Sequence, residues 1–108
     1  MDYIEVGKAI YDTSKRIEDG VNAITKKAKE YATNEKEYRL ALSKEIMKLK
    51  TEGLQATLIP DVARGNVSEI KFKRDLAELE YKTYRDMIEG LKAELSGLQT
   101  IYKRLEDM

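Results

Sequence analysis

The last third of the sequence repeats an apolar or aromatic residue at alternating spacings of four and three. The repeat keeps its phase through Ala77, Tyr81, Tyr84, Ile88, Leu91, Leu95, Leu98, Tyr102 and Leu105. These spacings place every member on one face of an α-helix, and their average of 3.5 residues is that of a coiled-coil seam. Because such a seam must be covered by another helix, the chain is predicted to fold by pairing helices.

The first half of the chain carries the same spacing less regularly. Its members are Ile10, Ser14, Ile17, Val21, Ile24, Ala28, Tyr31, Glu35, Tyr38, Leu42, Glu45 and Leu49. Between the two seams, the segment 53–66 contains the only proline and two of the six glycines, which predicts a bend. We therefore predict an all-α fold, a long antiparallel helical hairpin of the coiled-coil type in a single domain, 1–108.

The predicted helices run from about residue 3 to 52 and from about 67 to 107, with the bend at 53–66. Inside the bend, Pro60–Ala63 is expected to form one short helical turn, since proline suits the first position of a helix. Thr33 and Asn34 both prefer caps and turns to helix interiors. Whether they interrupt the first helix is left open.

An antiparallel helix pair matches residues whose numbers have a constant sum, and a sum of 119 keeps both seams in phase. This register places Glu45 opposite Arg74 and Glu35 opposite Tyr84. A partnered carboxylate in a seam fixes the register, whereas an unpartnered one is costly. We therefore predict this pairing.

A hairpin of two helices buries only one stripe on each helix, so we expect it to self-associate, most simply as a dimer that forms a four-helix bundle. The apolar surface is wider near the bend. One interpretation, which we favour, is a small core in which the connection folds back over the helices. The other is an oligomer or partner surface, for which the candidates are Phe72, Leu76, Leu79, Leu58 and Ile59.

The charges balance overall, with 20 Lys and Arg against 20 Asp and Glu, but they are unevenly distributed. The segment 44–74 has seven basic and four acidic residues. Its candidate nucleic-acid-binding residues are Lys44, Lys48, Lys50, Arg64, Lys71 and Lys73. A net charge of zero argues against strong nonspecific binding of nucleic acid, so a solvated charged surface is the favoured interpretation.

The sequence lacks the residues of common catalytic and metal sites, since it has no histidine and no cysteine. We predict a non-enzyme without catalytic residues, metal ligands or a cofactor. Gly90 and Gly97 lie seven residues apart inside the second helix, where they allow a neighbouring helix to approach closely. The absence of cysteine and of any long apolar run favours the cytoplasm and no membrane partner.

Several short runs around the bend carry a family resemblance. They are Lys50-Thr51-Glu52-Gly53, Ala56-Thr57-Leu58-Ile59 and Ala63-Arg64-Gly65, followed by Lys73, Asp75, Ala77-Glu78 and Tyr81-Lys82. Over roughly residues 30–108 the chain resembles small uncharacterised helical proteins of phages and prophages of Gram-positive bacteria, found among early genes for replication and recombination. The resemblance implies an accessory protein that acts beside phage DNA metabolism in the cytoplasm of the host cell, with single-stranded DNA or a replication or recombination protein as its partner.

Two other functions fit the same fold. One is a protein-binding adaptor or inhibitor of a host factor, which would bind its partner tightly and be indifferent to nucleic acid. The other is a helical hairpin exported by a specialised secretion system, which the chain resembles in size and in the spacing of Tyr102 and Glu106. The Trp-Xaa-Gly that such proteins carry at the bend is absent, so this function ranks last.

Overall fold

The computed structural model describes residues 2–108, which form three α-helices and contain no strand. Helix α1 spans Tyr3–Thr51, α2 spans Ile59–Asn66 and α3 spans Ser68–Glu106. The chain divides into two compact units: the bend unit, Lys27–Tyr81, and the terminal unit, which comprises the described residues up to Lys26 and from Lys82 onward. Within each unit α1 and α3 pack antiparallel, which confirms the predicted all-α helical hairpin.

Helix α1 is continuous through Thr33 and Asn34, the point at which an interruption was left open. The side-chain amide of Asn34 donates to the carbonyl oxygen of Glu30 at 2.7 Å. A polar side chain that bonds to the preceding turn is accommodated without breaking the helix. The first turn of α1 is capped by the carboxylate of Asp2, which accepts from the N–H of Glu5 at 2.8 Å.

The chain reverses direction at Gly53. Its φ of 81° is the left-handed conformation that glycine adopts without steric cost. The N–H of Gly53 donates to the carbonyl of Lys50, and the N–H of Leu54 donates to the carbonyl of Leu49, both at 3.1 Å. This pair of hydrogen bonds is the Schellman motif, which satisfies the last carbonyls of α1 and ends it.

Helix α2 lies on α1 and forms the small core of the bend unit. Ile59 and Ala63 are buried there with Leu49 of α1, and they are bordered by the partly buried Leu42, Ile46 and Leu54. Pro60 occupies the first turn of α2, which extends past the predicted turn Pro60–Ala63 to Asn66. The connection therefore folds back over α1, as the favoured interpretation of the apolar bend expected.

The seam of α3 is the one that the sequence predicts: all nine positions from Ala77 to Leu105 are buried or half-buried. On α1, ten of the twelve predicted positions are buried or half-buried, and the two exposed positions are Ser14 and Val21. Their places are taken by the buried Thr13 and Gly20. A straight helix drifts by about 20° per heptad against a 3.5-residue repeat, so the buried face moves to the preceding residue.

The predicted register is wrong. Residue numbers of contacting pairs add up to 109 for Glu35 and Arg74 in the bend unit and to 108 for Gly20 and Ile88 in the terminal unit, not to 119. Glu45 accordingly accepts from the side chain of Asn66, at 2.7 Å. The predicted and observed sums differ by about ten residues, which is close to three helical turns at 3.6 residues per turn. Sliding one helix by whole turns keeps the same helix faces in contact, so periodicity does not distinguish the two registers.

The cause of the error is the position of the turn. A sum of 119 places the midpoint of the hairpin next to Pro60, whereas the chain reverses at Gly53. The segment after the reversal then becomes helix α2, which packs on α1 instead of serving as an open loop.

Candidate interaction surfaces

A half-buried polar cluster in the bend unit is centred on Arg74. Its guanidinium donates to Glu35 at 2.8 Å and to Asp75 at 2.7 Å, and it lies 4.7 Å from the centroid of the Tyr38 ring. The side chains of Arg74 and Glu35 are only 19% and 25% exposed. The hydrogen bond from Arg74 holds the pKa of Glu35 below its ordinary value of 4.5, and it raises the pKa of Arg74. The bond between Arg74 and Glu35 joins α3 to α1.

The next turns of the bend unit also join α1 to α3 through polar side chains. Lys27 donates to Glu80 at 3.1 Å, which raises the pKa of Lys27. The hydroxyl of Tyr31 donates to Glu78 at 3.2 Å, while its ring lies 6.1 Å from that of Tyr81. Both tyrosines are half-buried and fill space between helices with a polar edge toward water, which is the usual role of tyrosine in a seam.

An exposed apolar row runs along α3 in the bend unit. Phe72, Leu76 and Leu79 are 62%, 44% and 61% exposed. Their spacings of four and three place them on one side of the helix, and Ala77, which is buried against α1, marks the opposite side. Large apolar side chains that line up on an exposed helix face are typical of interaction surfaces. We call these three residues the α3 apolar row.

The remaining two residues of the predicted partner surface differ from each other. Leu58, just before α2, is 49% exposed, whereas Ile59 is buried in the small core with Leu49 and Ala63. Ile59 therefore packs within the chain and takes no part in the surface. The predicted surface does not include Leu40 and Met47, which lie seven residues apart on α1 and are 51% and 69% exposed.

The six predicted nucleic-acid-binding residues do not gather on one face. Lys48 and Lys50 are two positions apart on α1, as are Lys71 and Lys73 on α3, and residues at this spacing point to opposite sides of a helix. Lys71 donates to Asp75 at 2.8 Å, which lowers the pKa of that carboxyl. The other two are Arg64, which donates to Asp61 at 3.2 Å, and Lys44, which is exposed one turn before Lys48.

In the terminal unit, Gly20 lets α1 and α3 approach closely. A Cβ at Gly20 would lie 3.1 Å from Cγ1 of Ile88 and 3.6 Å from Cε of Met87. A groove of about 280 Å³ opens beside it, lined by Arg16, Asp19, Gly20, Ala23, Tyr84, Met87 and Leu91. The groove follows from the missing side chain of Gly20, and its polar lining is one cation, one carboxylate and one phenol.

Two tyrosines join the ends of the helices in the terminal unit. The rings of Tyr3 and Tyr102 stack with their centroids 4.6 Å apart, and their two hydroxyls share a hydrogen bond. This hydrogen bond raises the pKa of Tyr3 to about 12. The sequence pattern predicts Tyr102 as a seam residue but not Tyr3, because Tyr3 precedes the first recognisable repeat.

Small residues follow one another on α3 in the terminal unit, where Gly90, Ala93 and Gly97 are all exposed. A Cβ at Gly90 or Gly97 would meet no atom within 4 Å. An exposed glycine inside a helix costs about 1 kcal/mol relative to alanine. Packing within the described chain gives no reason for these two glycines.

Among residues 2–108 there is no group of three or more acidic side chains arranged to hold a metal ion. In the same part of the chain, the helices are too polar for any of them to cross a bilayer. Comparisons with protein-family models, with curated proteins and with solved structures gave no significant match.

Proposed function

We propose that this protein is a non-enzymatic accessory protein that self-associates and acts by binding another macromolecule through the outer faces of its hairpin. The observation that carries the proposal is the α3 apolar row, Phe72, Leu76 and Leu79, which points away from α1 and is largely exposed. Burying such side chains against a partner contributes roughly 25 cal/mol of favourable binding free energy for each Å² of apolar surface removed from water. A partner helix is the natural cover for a helical row of this kind.

The distribution of charge favours a protein contact over a nucleic-acid contact. Specific or nonspecific binding of nucleic acid depends on several cations that reach phosphates together. Here Lys48 and Lys50 point to opposite sides of α1, and Lys71 and Arg64 already bind carboxylates. The balanced total of 20 basic and 20 acidic residues adds no long-range attraction for a polyanion.

The resemblance to phage and prophage proteins supports a setting for this activity. It favours an accessory role beside DNA replication or recombination in the cytoplasm of a host cell, with a replication or recombination protein as the partner. A protein-binding adaptor or inhibitor of a host factor would use the same surface.

Direct binding of single-stranded DNA is the second candidate function. It is favoured by Lys44 and Lys48, which are exposed one turn apart on the same side of α1. Two cations on one side of a helix can contact phosphates together.

The two candidates are separated by measuring molecular mass by light scattering and the anisotropy of a labelled single-stranded oligonucleotide, each at low and moderate salt. We expect an oligomer whose mass is unchanged by the oligonucleotide and negligible binding at moderate salt. Binding that weakens with salt and with Lys44→Ala plus Lys48→Ala, but not with Lys8→Ala plus Lys103→Ala, would favour the DNA function instead. A monomer at all concentrations would contradict the proposed self-association.

A further inference from the structure

We infer that the outer face of α3 is an antiparallel homodimer interface, in which each residue of a second, exposed seam faces the seam residue of a second copy whose number brings the sum to 169. The inference rests on the self-association proposed above and specifies its surface, direction and register. It is carried by three independent features of α3: the spacing of exposed residues, the sizes of their side chains and the charges beside them.

A second coiled-coil spacing runs along α3, offset from the seam that packs on α1. It consists of Phe72, Leu76, Leu79, Thr83, Asp86, Gly90, Ala93 and Gly97, which alternate by four and three, and all eight are exposed. All eight lie within the single helix α3 and span 26 residues, about seven turns. A face of this length is sufficient for a coiled-coil contact between two copies.

The side chains on this face are sorted by size. The large ones, Phe72, Leu76 and Leu79, lie toward the start of α3, and the smallest, Gly90, Ala93 and Gly97, lie toward its end. In an antiparallel pair with a sum of 169, Phe72 faces Gly97, Leu76 faces Ala93 and Leu79 faces Gly90. A parallel pair would instead place phenylalanine on phenylalanine and glycine on glycine, which crowds one end and leaves voids at the other.

The two glycines supply the space that the large side chains need. Because a Cβ at Gly90 or Gly97 would meet no atom within 4 Å, the surface above each glycine is open. Leu79 and Phe72 of a second copy fit above them. This contact gives a reason for placing glycine at two exposed helix positions, where alanine would make the helix more stable.

The charges that flank the face select this register. In an antiparallel coiled coil the residues just outside the seam meet their equivalents on the partner. Flanking residues lie beside the seam, so when the seam pairs sum to 169 the flanking pairs sum to 167 on one side and to 171 on the other. These contacts pair Lys73 with Glu94 and Lys82 with Glu89. The remaining flanking contacts, Glu80 with Met87 and Asp75 with Ser96, bring no like charges together.

Registers shifted by one heptad bring like charges together. A sum of 176 pairs Glu80 with Glu94 and places Glu89 against Glu89 of the second copy. A sum of 162 pairs Asp75 with Glu89 and places Lys82 against Lys82 of the second copy. Like charges at flanking positions oppose pairing, so the register at 169 is the one that the charges allow.

Disulfide trapping tests this arrangement, because the chain contains no cysteine of its own. The full chain is made as three separate variants, Leu79→Cys, Gly90→Cys and Gly97→Cys, and pairs are mixed, reduced and then oxidised. We expect the mixture of Leu79→Cys with Gly90→Cys to form a mixed disulfide dimer in at least five-fold higher yield than the mixture of Leu79→Cys with Gly97→Cys. The latter is the matched control for a register shifted by one heptad.

Each other outcome overturns the inference in a recognisable way. A dominant disulfide in Leu79→Cys alone would show a parallel dimer, and a dominant one in the control mixture would show the shifted register. If no disulfide forms in samples whose mass by light scattering is twice 12.4 kDa, the dimer forms through another face; this result contradicts the inference but not the proposed function. A wild-type mass of 12.4 kDa at every concentration would remove both proposals.

Charge exchange provides a second measurement that does not depend on cysteine. We expect Lys73→Glu to raise the dimer dissociation constant several-fold, because the new glutamate of one copy then faces Glu94 of the second copy. Adding Glu94→Lys to the same chain should restore the wild-type constant, since the pair is then attractive with its signs exchanged. Failure of the second change to restore dimerisation would contradict the contact between Lys73 and Glu94.

Discussion

Arg74 of α3 donates a hydrogen bond to Glu35 of α1 at 2.8 Å, and this pair holds the two helices of the bend unit in register. Both side chains are mostly buried, and the guanidinium also covers the ring of Tyr38. A carboxylate in a seam needs such a partner, because a shifted helix would leave its charge without one. The sequence predicted that Glu35 would be partnered but assigned it to Tyr84.

Replacing Arg74 with alanine should therefore lower thermal stability clearly, because it removes the partner of Glu35 on α3 and exposes the ring of Tyr38. Arg39→Ala is the matched control, since Arg39 also donates to Glu35, at 2.7 Å, but its side chain is 78% exposed. The control should change stability by no more than about 0.5 kcal/mol, as exposed helix pairs do. Thermal unfolding followed by circular dichroism compares the two, and equal losses would argue against a special role for Arg74.

The stability of the bend unit should fall in acid. The pKa of Glu35 lies below its ordinary value of 4.5 because of Arg74, and that of Asp75 lies below 3.8 because of Lys71. A carboxyl with a lowered folded-state pKa stabilises the protein fully above its unfolded-state pKa and loses that contribution as the pH falls through its folded-state pKa. The midpoint temperature of thermal unfolding, measured from pH 7 to pH 2, should fall once the pH is below about 4.5. Glu35→Gln should reduce this fall in midpoint temperature.

Gly20 should not tolerate a large side chain. A Cβ at this position already lies 3.1 Å from Ile88, so Gly20→Leu has to push α3 away in the terminal unit. Overpacking of this kind costs about 1–3 kcal/mol. The neighbouring and exposed Asn22 gives the control Asn22→Leu, which should change stability by about 0.5 kcal/mol or less. Urea denaturation measures both, and a neutral Gly20→Leu would show that the helices are farther apart than the structure has them.

Charges placed in the seam of α3 should abolish helix pairing in the terminal unit. Leu91 is 5% exposed and Leu95 is half-buried on the same face. We expect the double change of both leucines to aspartate to cost more than about 4 kcal/mol, since two unpartnered charges replace apolar contacts. Far-ultraviolet circular dichroism should show a large loss of helix, whereas Lys92→Asp at an exposed position should retain it. Retained helix in the double variant would contradict the assignment of the seam.

The helix faces followed from the sequence because periodicity alone determines them. Every position of the predicted α3 seam, Ala77 to Leu105, is buried or half-buried in the structure. The register could not be predicted in the same way, since a shift of three helical turns restores the same faces to contact. The register depends on where the chain reverses direction, and the reversal lies at Gly53, with its left-handed backbone conformation, instead of at Pro60.

The exposure of the α3 apolar row was likewise predictable, because α3 is long enough to show a periodic pattern. Phe72, Leu76 and Leu79 stand out as a second row on α3, and the structure leaves all three exposed. Ile59 was assigned to the same surface because α2 has only eight residues, too few for a periodic pattern to separate its buried face from its exposed one. The open space above Gly90 required the structure, since sequence does not show which side of α3 is already covered.

The central claim, that the outer face of α3 brings two copies together, is tested most directly by molecular mass. Light scattering on the wild-type chain over a range of concentrations should approach twice 12.4 kDa. Leu79→Lys, which places a charge within the α3 apolar row without touching the seam, should remain near 12.4 kDa with unchanged helix content. A wild-type mass of 12.4 kDa throughout, or a Leu79→Lys variant that dimerises as well as the wild type, would contradict the claim.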